Sequence, residues 1–198
     1  VIVYKSRIGR YPFLGDLHMH TCRSDGSQLP AVVAANYRKR GYDFTVISDH
    51  RRYWPSLEAI DAYKDVPTEM VIVPGEEVHL PEVDGKQNGV HIVNFGGEYS
   101  INALTYGEHV DEKGTDPKYR SLYGECPEHM DKETFETLMR KLMDEADLPE
   151  GIDVYPAVCC KWIFDEIKKA NGLGIFAHPN WIANVFHIAE PFTEYMME

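Results

Sequence analysis

From residue 13 to residue 95 the sequence alternates short apolar runs with helix-like stretches, and this narrows the fold more than any other feature. Residues 13–20 read as a strand that ends in a polar cluster. Pro30 suits the first turn of a helix that continues over 31–40 and stops at Gly41. Residues 44–48 are rich in β-formers and read as a buried strand; 55–64 read as a helix and 70–78 as a third strand. A turn-rich loop, 81–89, leads to a strand over 90–95 that closes at Gly96-Gly97. Strand–helix–strand order with short connections predicts an α/β fold with a mainly parallel sheet.

The length of 198 residues fits a single domain spanning 1–198. The stretch from Glu108 to Asp153 interrupts the pattern, with 14 acidic and 6 basic residues against a chain net charge of −12. It reads as an acidic insertion at about 98–153, a surface excursion or lid on the core. Within it, 131–146 predicts a helix with Phe135, Leu138, Met139, Leu142 and Met143 on one stripe. The α/β pattern then resumes: a helix over 160–170 stopped by Asn171-Gly172, a strand over 173–177 running into His178-Pro179, and the start of a helix over 188–198.

The acidic balance argues against general nucleic-acid binding and against an anionic membrane surface, since both need a basic face. The apolar runs are too short to span a bilayer, and the N-terminal Val-Ile-Val-Tyr is too short for a signal core. Four cysteines, two of them adjacent, make a poor disulfide framework. A reducing, cytoplasmic setting is expected. The sequence leaves oligomeric state open.

The chemistry-bearing residues cluster at strand ends. In Asp16-Leu17-His18-Met19-His20, alternation puts Asp16, His18 and His20 on one face, and two such imidazoles can grip one ion. Ser24-Asp25-Gly26 follows as a polar turn. Asp49-His50 ends the second strand; taken alone, Asp49 would cap a helix and His50 would lie on the surface. Glu76-Glu77 ends the third strand, where two adjacent acids repel unless solvent or a cation relieves them. His91 begins the fourth strand and His178 ends the last. Such clusters at five strand ends point to a multinuclear metal site, because strand ends converge in α/β barrels. Histidines mixed with carboxylates suit Zn²⁺, Mn²⁺ or Fe²⁺ better than Mg²⁺ alone.

The sequence resembles the polymerase and histidinol phosphatase (PHP) family. The motif Asp-Leu-His-x-His-Thr with Ser-Asp-Gly stands as residues 16–21 and 24–26; Thr-Asp-His appears as Ser48-Asp49-His50; Gly-x-Glu is Gly75-Glu76-Glu77, which selects Glu77. His91 and His178-Pro179 resemble the next two motifs. The resemblance implies a distorted (β/α)₇ TIM-like barrel with two to three divalent metals in its mouth. It assigns His18, His20 and Glu77 to the first ion, and a bridging Glu77 with His91 and His178 to the second. Asp25 and His50 go to the third, and Asp16 orients a histidine from behind. The family's late Asp-x-His pair has no counterpart after His178, so the chain is expected to be a fragment, its barrel incomplete at the C-terminus.

The expected activity is hydrolysis of a phosphate ester by metal-activated water in a di- or trinuclear site, with a small phosphomonoester as substrate. Arg51 and Arg52, directly after His50, are candidates to clamp the phosphate. A PHP-type nuclease, hydrolysis of another bond such as an amide, a non-catalytic metal-binding module, and a metal-free protein whose histidines serve only the fold are the alternatives. His79, His129 and His187 carry no motif and are expected at the surface. Tyr53, Trp54, Trp162 and Trp181 are expected to pack in the core or at its rim.

Overall fold

The computed structural model describes residues 12–106, 129–179 and 190–197. Three parallel strands come first in the chain: β1 (Gly15–Asp16), β2 (Phe44–Val46) and β3 (Val71–Val73), in the order β1-β2-β3. The helices α1 (Pro30–Lys39) and α2 (Trp54–Tyr63) connect them. Both helices start with proline in the first turn, where a missing N–H costs nothing. Arg38 and Lys39 close α1 against its dipole, and Gly41, at φ +82°, ends it.

Pro74 interrupts the third expected strand, because it has no N–H for the ladder. Beyond it β4 (Gly75–Val78) joins a second sheet with β5 (Ile92–Phe95) and β6 (Leu173–Phe176), in the order β4-β5-β6. Here the structure departs from a mainly parallel sheet, since β5 runs antiparallel to both neighbours. The reversal carries the start of β5 to the end at which β4 and β6 finish. Gly75 is required where the sheets meet: a Cβ there would lie 2.4 Å from the Asn94 carbonyl and 2.5 Å from Val46. A parallel bridge between His50 and Glu77 ties the chain leaving β2 to β4.

Two helices, α3 (Lys132–Asp144) and α4 (Val154–Lys169), back the second sheet, and α5 (Glu190–Met197) follows β6. Asp131 caps α3 by accepting from the Thr134 N–H at 2.8 Å. Its apolar stripe is covered: Phe135 and Met139 are fully buried beside α4, with Leu138, Leu142 and Met143 packed around them. α4 begins at Val154 rather than at 160, because Asp153 caps it and Pro156 falls in its first turn. The large core under the second sheet includes Val78, Ile92, Tyr155, Ile163 and Ile167. A smaller one, with Met19, Val33, Ala34, Ile47 and Ala59, lies under the first. Residues 107–128 of the expected insertion lie outside the described residues. Among those described, no helix is long and apolar enough to cross a membrane.

Candidate metal centre

The histidine pair is aimed by a buried methionine. Met19 points into the smaller core, and its backbone is held by Ser48, whose N–H donates to the Met19 carbonyl at 2.9 Å. Alternation then turns His18 and His20 to the opposite face. The following loop folds back over Asp49, which is fully buried. Asp49 accepts from the Thr21 N–H (2.9 Å), the Thr21 hydroxyl (2.8 Å) and the Ser24 hydroxyl (2.5 Å). Gly26 lets the loop close, since a Cβ there would sit 2.5 Å from the His20 carbonyl. Asp25 is thereby brought 2.7 Å from His20 Nδ1.

The adjacent acids at residues 76 and 77 face opposite ways, and both are fully buried. Glu76 turns away from the histidines and accepts from the Ser100 hydroxyl (2.8 Å), the Asn102 amide (2.7 Å) and the Ile101 N–H (2.5 Å). Glu77 turns toward them. Its N–H donates to the Asp49 carbonyl, and its own carbonyl accepts from the Arg51 N–H.

Six imidazoles surround the Glu77 carboxylate. His18 Nε2 (3.2 Å), His91 Nδ1 (3.1 Å) and His178 Nε2 (3.1 Å) face Oε1. His20 Nε2 (3.1 Å), His50 Nδ1 (2.5 Å) and His79 Nε2 (3.4 Å) face Oε2. The reversed β5 is what admits His91, at the start of its strand, and the Ala177 N–H to His91 carbonyl bond brings His178 beside it. His178 sits at φ 32°, a conformation an L-residue adopts only under constraint.

This donor set fits divalent metal. A carboxylate offers about four lone-pair sites, too few for six imidazole donors. The nitrogens also crowd one another: His50 Nδ1 to His79 Nε2 is 2.7 Å, His18 Nε2 to His20 Nε2 is 3.1 Å, and His91 Nδ1 to His178 Nε2 is 3.3 Å. With zinc–nitrogen bonds of about 2.0–2.1 Å, neighbouring ligands of a tetrahedral ion stand roughly 3.3 Å apart. Three groups have donor atoms within 4.8 Å of one another: His50, Glu77, His79 and His91; His18, Glu77 and His178; His20, Asp25 and His50.

Burial alone would raise the Glu77 pKa, but hydrogen bonds with His178, His18, His20 and His50 outweigh it and hold the group far below the usual carboxylate range. Burial pushes His79 down to about 3 and lowers His91 as well. His20 goes the other way, because Glu77 and Asp25 outweigh the effect of burial. Glu76 is raised by burial against its hydrogen bonds.

These directions predict how the metal-free fold responds to acid. Histidines of the unfolded chain titrate near 6.5. Below that pH the unfolded chain binds protons that native His79 and His91 refuse, so stability falls by up to about 1.4 kcal/mol per pH unit for each. The raised His20 acts above 6.5, where its contribution fades as pH rises through its folded pKa. Chelator-stripped protein should therefore show a lower urea midpoint at pH 5 than at pH 6.5. An unchanged midpoint would contradict it.

All seven expected ligands, His18, His20, Asp25, His50, Glu77, His91 and His178, fall within this cluster. The groups that the resemblance assigns are close-set too: His18 and His20 lie 3.1 Å apart beside Glu77, His91 and His178 lie 3.3 Å apart and each 3.1 Å from Glu77 Oε1, and Asp25 lies 3.4 Å from His50; His18 also stands with His178, and His20 with Asp25 and His50. Among the described residues Asp16 holds the backbone of His18 rather than an imidazole ring. Its carboxylate accepts the His18 backbone N–H at 3.1 Å and is bonded by the Tyr37 hydroxyl. His79, expected at the surface, belongs to the cluster. Its signal was the same two-residue alternation that pairs His18 with His20, here relating Glu77 to His79. His129 is exposed, while His187 and Trp181 lie outside the described residues. Tyr53, Trp54 and Trp162 are buried as expected. Arg51, at φ 57°, is exposed beside His50, and Arg52 is half-buried.

No family model matches the sequence, and no curated protein matches it. Among solved structures, a Bifidobacterium adolescentis protein provisionally assigned as a metal-dependent phosphoesterase is similar over 94% of this chain and 74% of its own, with 17% identity and a TM-score of 0.49. At that distance a functional reading rests on this chain's own residues.

Proposed function

We propose that this chain is a metal-dependent phosphoesterase of the PHP type that hydrolyses a small phosphomonoester, its strands forming part of a distorted (β/α)₇ barrel. The observation that carries the reading is the convergence of six imidazoles on the buried Glu77 carboxylate, with Asp25 against two of them, His20 and His50. Divalent ions held there would supply Lewis acidity and a nucleophilic water near neutral pH. The residues divide the remaining work. His18, Glu77 and His178 offer three donors, which leaves an open position as catalytic sites do. Asp25, 2.7 Å from His20 Nδ1, fixes that ring so that Nε2 faces the centre. Arg51 and Arg52 directly follow His50 and would offer an anion charge-assisted hydrogen bonds in a strongly acidic chain. The same acidity repels a long polyanion and favours a small ester.

The test compares metal-loaded protein on p-nitrophenyl phosphate, bis(p-nitrophenyl) phosphate and single-stranded DNA. Hydrolysis of the monoester is expected to lead. The double variant Arg51→Ala, Arg52→Ala should raise its KM by about tenfold or more, as loss of charge-assisted hydrogen bonds does. Preference for the diester or DNA would make the chain a nuclease, and full metal loading without turnover would make it a binding module.

A further inference from the structure

We propose that His79 completes a closed four-ligand zinc site with His50, Glu77 and His91, so that one ion is a fixture while the His18–Glu77–His178 side keeps an open position. The inference rests on the metal-centre part of the functional reading and not on its phosphate chemistry.

Four protein donors saturate tetrahedral zinc, and such closed sites are structural; three-donor sites leave room for water or substrate. The group of His50, Glu77, His79 and His91 is the one cluster among the described residues with four donors. His79 is the most buried imidazole of the centre, while its partner His50 stands nearest the solvent. The His79 side chain is 12% exposed, against 18–29% for the other five imidazoles around Glu77.

The chain builds this corner rigidly. Glu77 and His79 share one face of the strand, with fully buried Val78 between them on the other. The His79 N–H donates to Asn102 Oδ1 at 3.1 Å, and the Asn102 amide donates to Glu76. The loop from His79 to His91 is pinned by Leu80, Val83 and Val90 in the main core, and by the Tyr155 hydroxyl on the Pro81 carbonyl. Arg140 of α3 grips Asp84 of that loop with two bonds of 2.7 and 2.8 Å. The His79 and His91 rings therefore lie 3.7 Å apart, with His50 edge-on to His79 at 4.6 Å. His50 directs Nδ1 here. Its Nε2, 3.4 Å from Asp25, can accept a second ion only by losing its proton, since a neutral imidazole has one lone pair.

The experiment measures zinc per chain after dialysis of the zinc-loaded protein against EDTA. The wild type is expected to retain one equivalent, His18→Gln to retain it as well, and His79→Gln to retain none. Retention by His79→Gln equal to wild type would overturn the proposal, and so would complete loss from the wild type. Should His79→Gln fail to fold, the wild type with one equivalent of cobalt(II) decides. Intense four-coordinate visible bands, with a shift of the His79 ring nitrogens in imidazole ¹⁵N spectra, support the closed site. Weak six-coordinate bands with an unshifted His79 overturn it. Retained zinc in a protein that hydrolyses no phosphate ester leaves this site standing and removes only the proposed reaction.

Discussion

Glu77→Gln is expected to strip metal from the two ligand groups that share Glu77 and to cost the metal-free fold stability as well. Glu77 is the donor shared by two of the three ligand groups, so its loss reduces one to three imidazoles and the other to two. Each ion that binds only the native state stabilises it by about 2.7 kcal/mol when free metal is a hundred times Kd. The variant forfeits that stabilisation. In the metal-free protein the balance is different. Glu77 is a fully buried anion, and the imidazole contacts that hold it ionised outweigh its desolvation. Breaking a buried charge pair by removing one partner typically costs about 3–5 kcal/mol, and a glutamine keeps one acceptor oxygen for the imidazoles, so the metal-free variant should lose a part of that, about 1–3 kcal/mol. Urea denaturation with and without chelator, beside elemental analysis, reads both halves. The wild-type midpoint should fall on chelation, and the variant should start below that lower value and change less. A Glu77→Gln variant that still carried its full zinc complement would remove Glu77 from the centre.

The parts of this molecule that were readable from the sequence are those set by local period. The helix at 30–39 announces itself by Pro30 and Gly41, and the facing of His18 and His20 by alternation around Met19. Both signals act within a few residues. What was missed depends on pairing at long range. Nothing in the local pattern of β5 says that it runs against β4, yet that reversal explains how a histidine at the start of a strand meets histidines at the ends of others. Asp49 looks like a helix cap because its partners, Thr21 and Ser24, lie in a loop that only the β1–β2 pairing brings over it. His79 is the intermediate case. Its relation to Glu77 is local and legible, but its burial depends on Asn102 and on the packed loop that follows it.

Asp49→Ala should differ from the Glu77 substitution in its metal, costing stability while sparing the His50–Glu77–His79–His91 corner. Asp49 carries no imidazole contact among the described residues; it holds the loop that carries His20 and Asp25. Its removal leaves the Thr21 N–H, fixed by the backbone, and two hydroxyls without their acceptor in a buried place. An orphaned buried donor costs about 1–3 kcal/mol and each lost hydroxyl bond about 1 kcal/mol, so the metal-free protein should lose about 3–5 kcal/mol. Asp49→Asn keeps one acceptor oxygen for the N–H and offers an amide to the Thr21 hydroxyl, so its cost should be nearer 1–2 kcal/mol. Chemical denaturation of stripped protein measures both, and a cost below about 1 kcal/mol for the Ala variant would mean that the network does not hold the loop. His50 meanwhile stays beside Glu77 through the backbone bridge, which Asp49 does not make with its side chain. The Ala variant should accordingly keep a zinc ion at the His50–Glu77–His79–His91 corner while its denaturation midpoint drops. Glu77→Gln should lose the ion at that corner, so zinc retention separates the group that binds the metal from the group that supports the loop beside it.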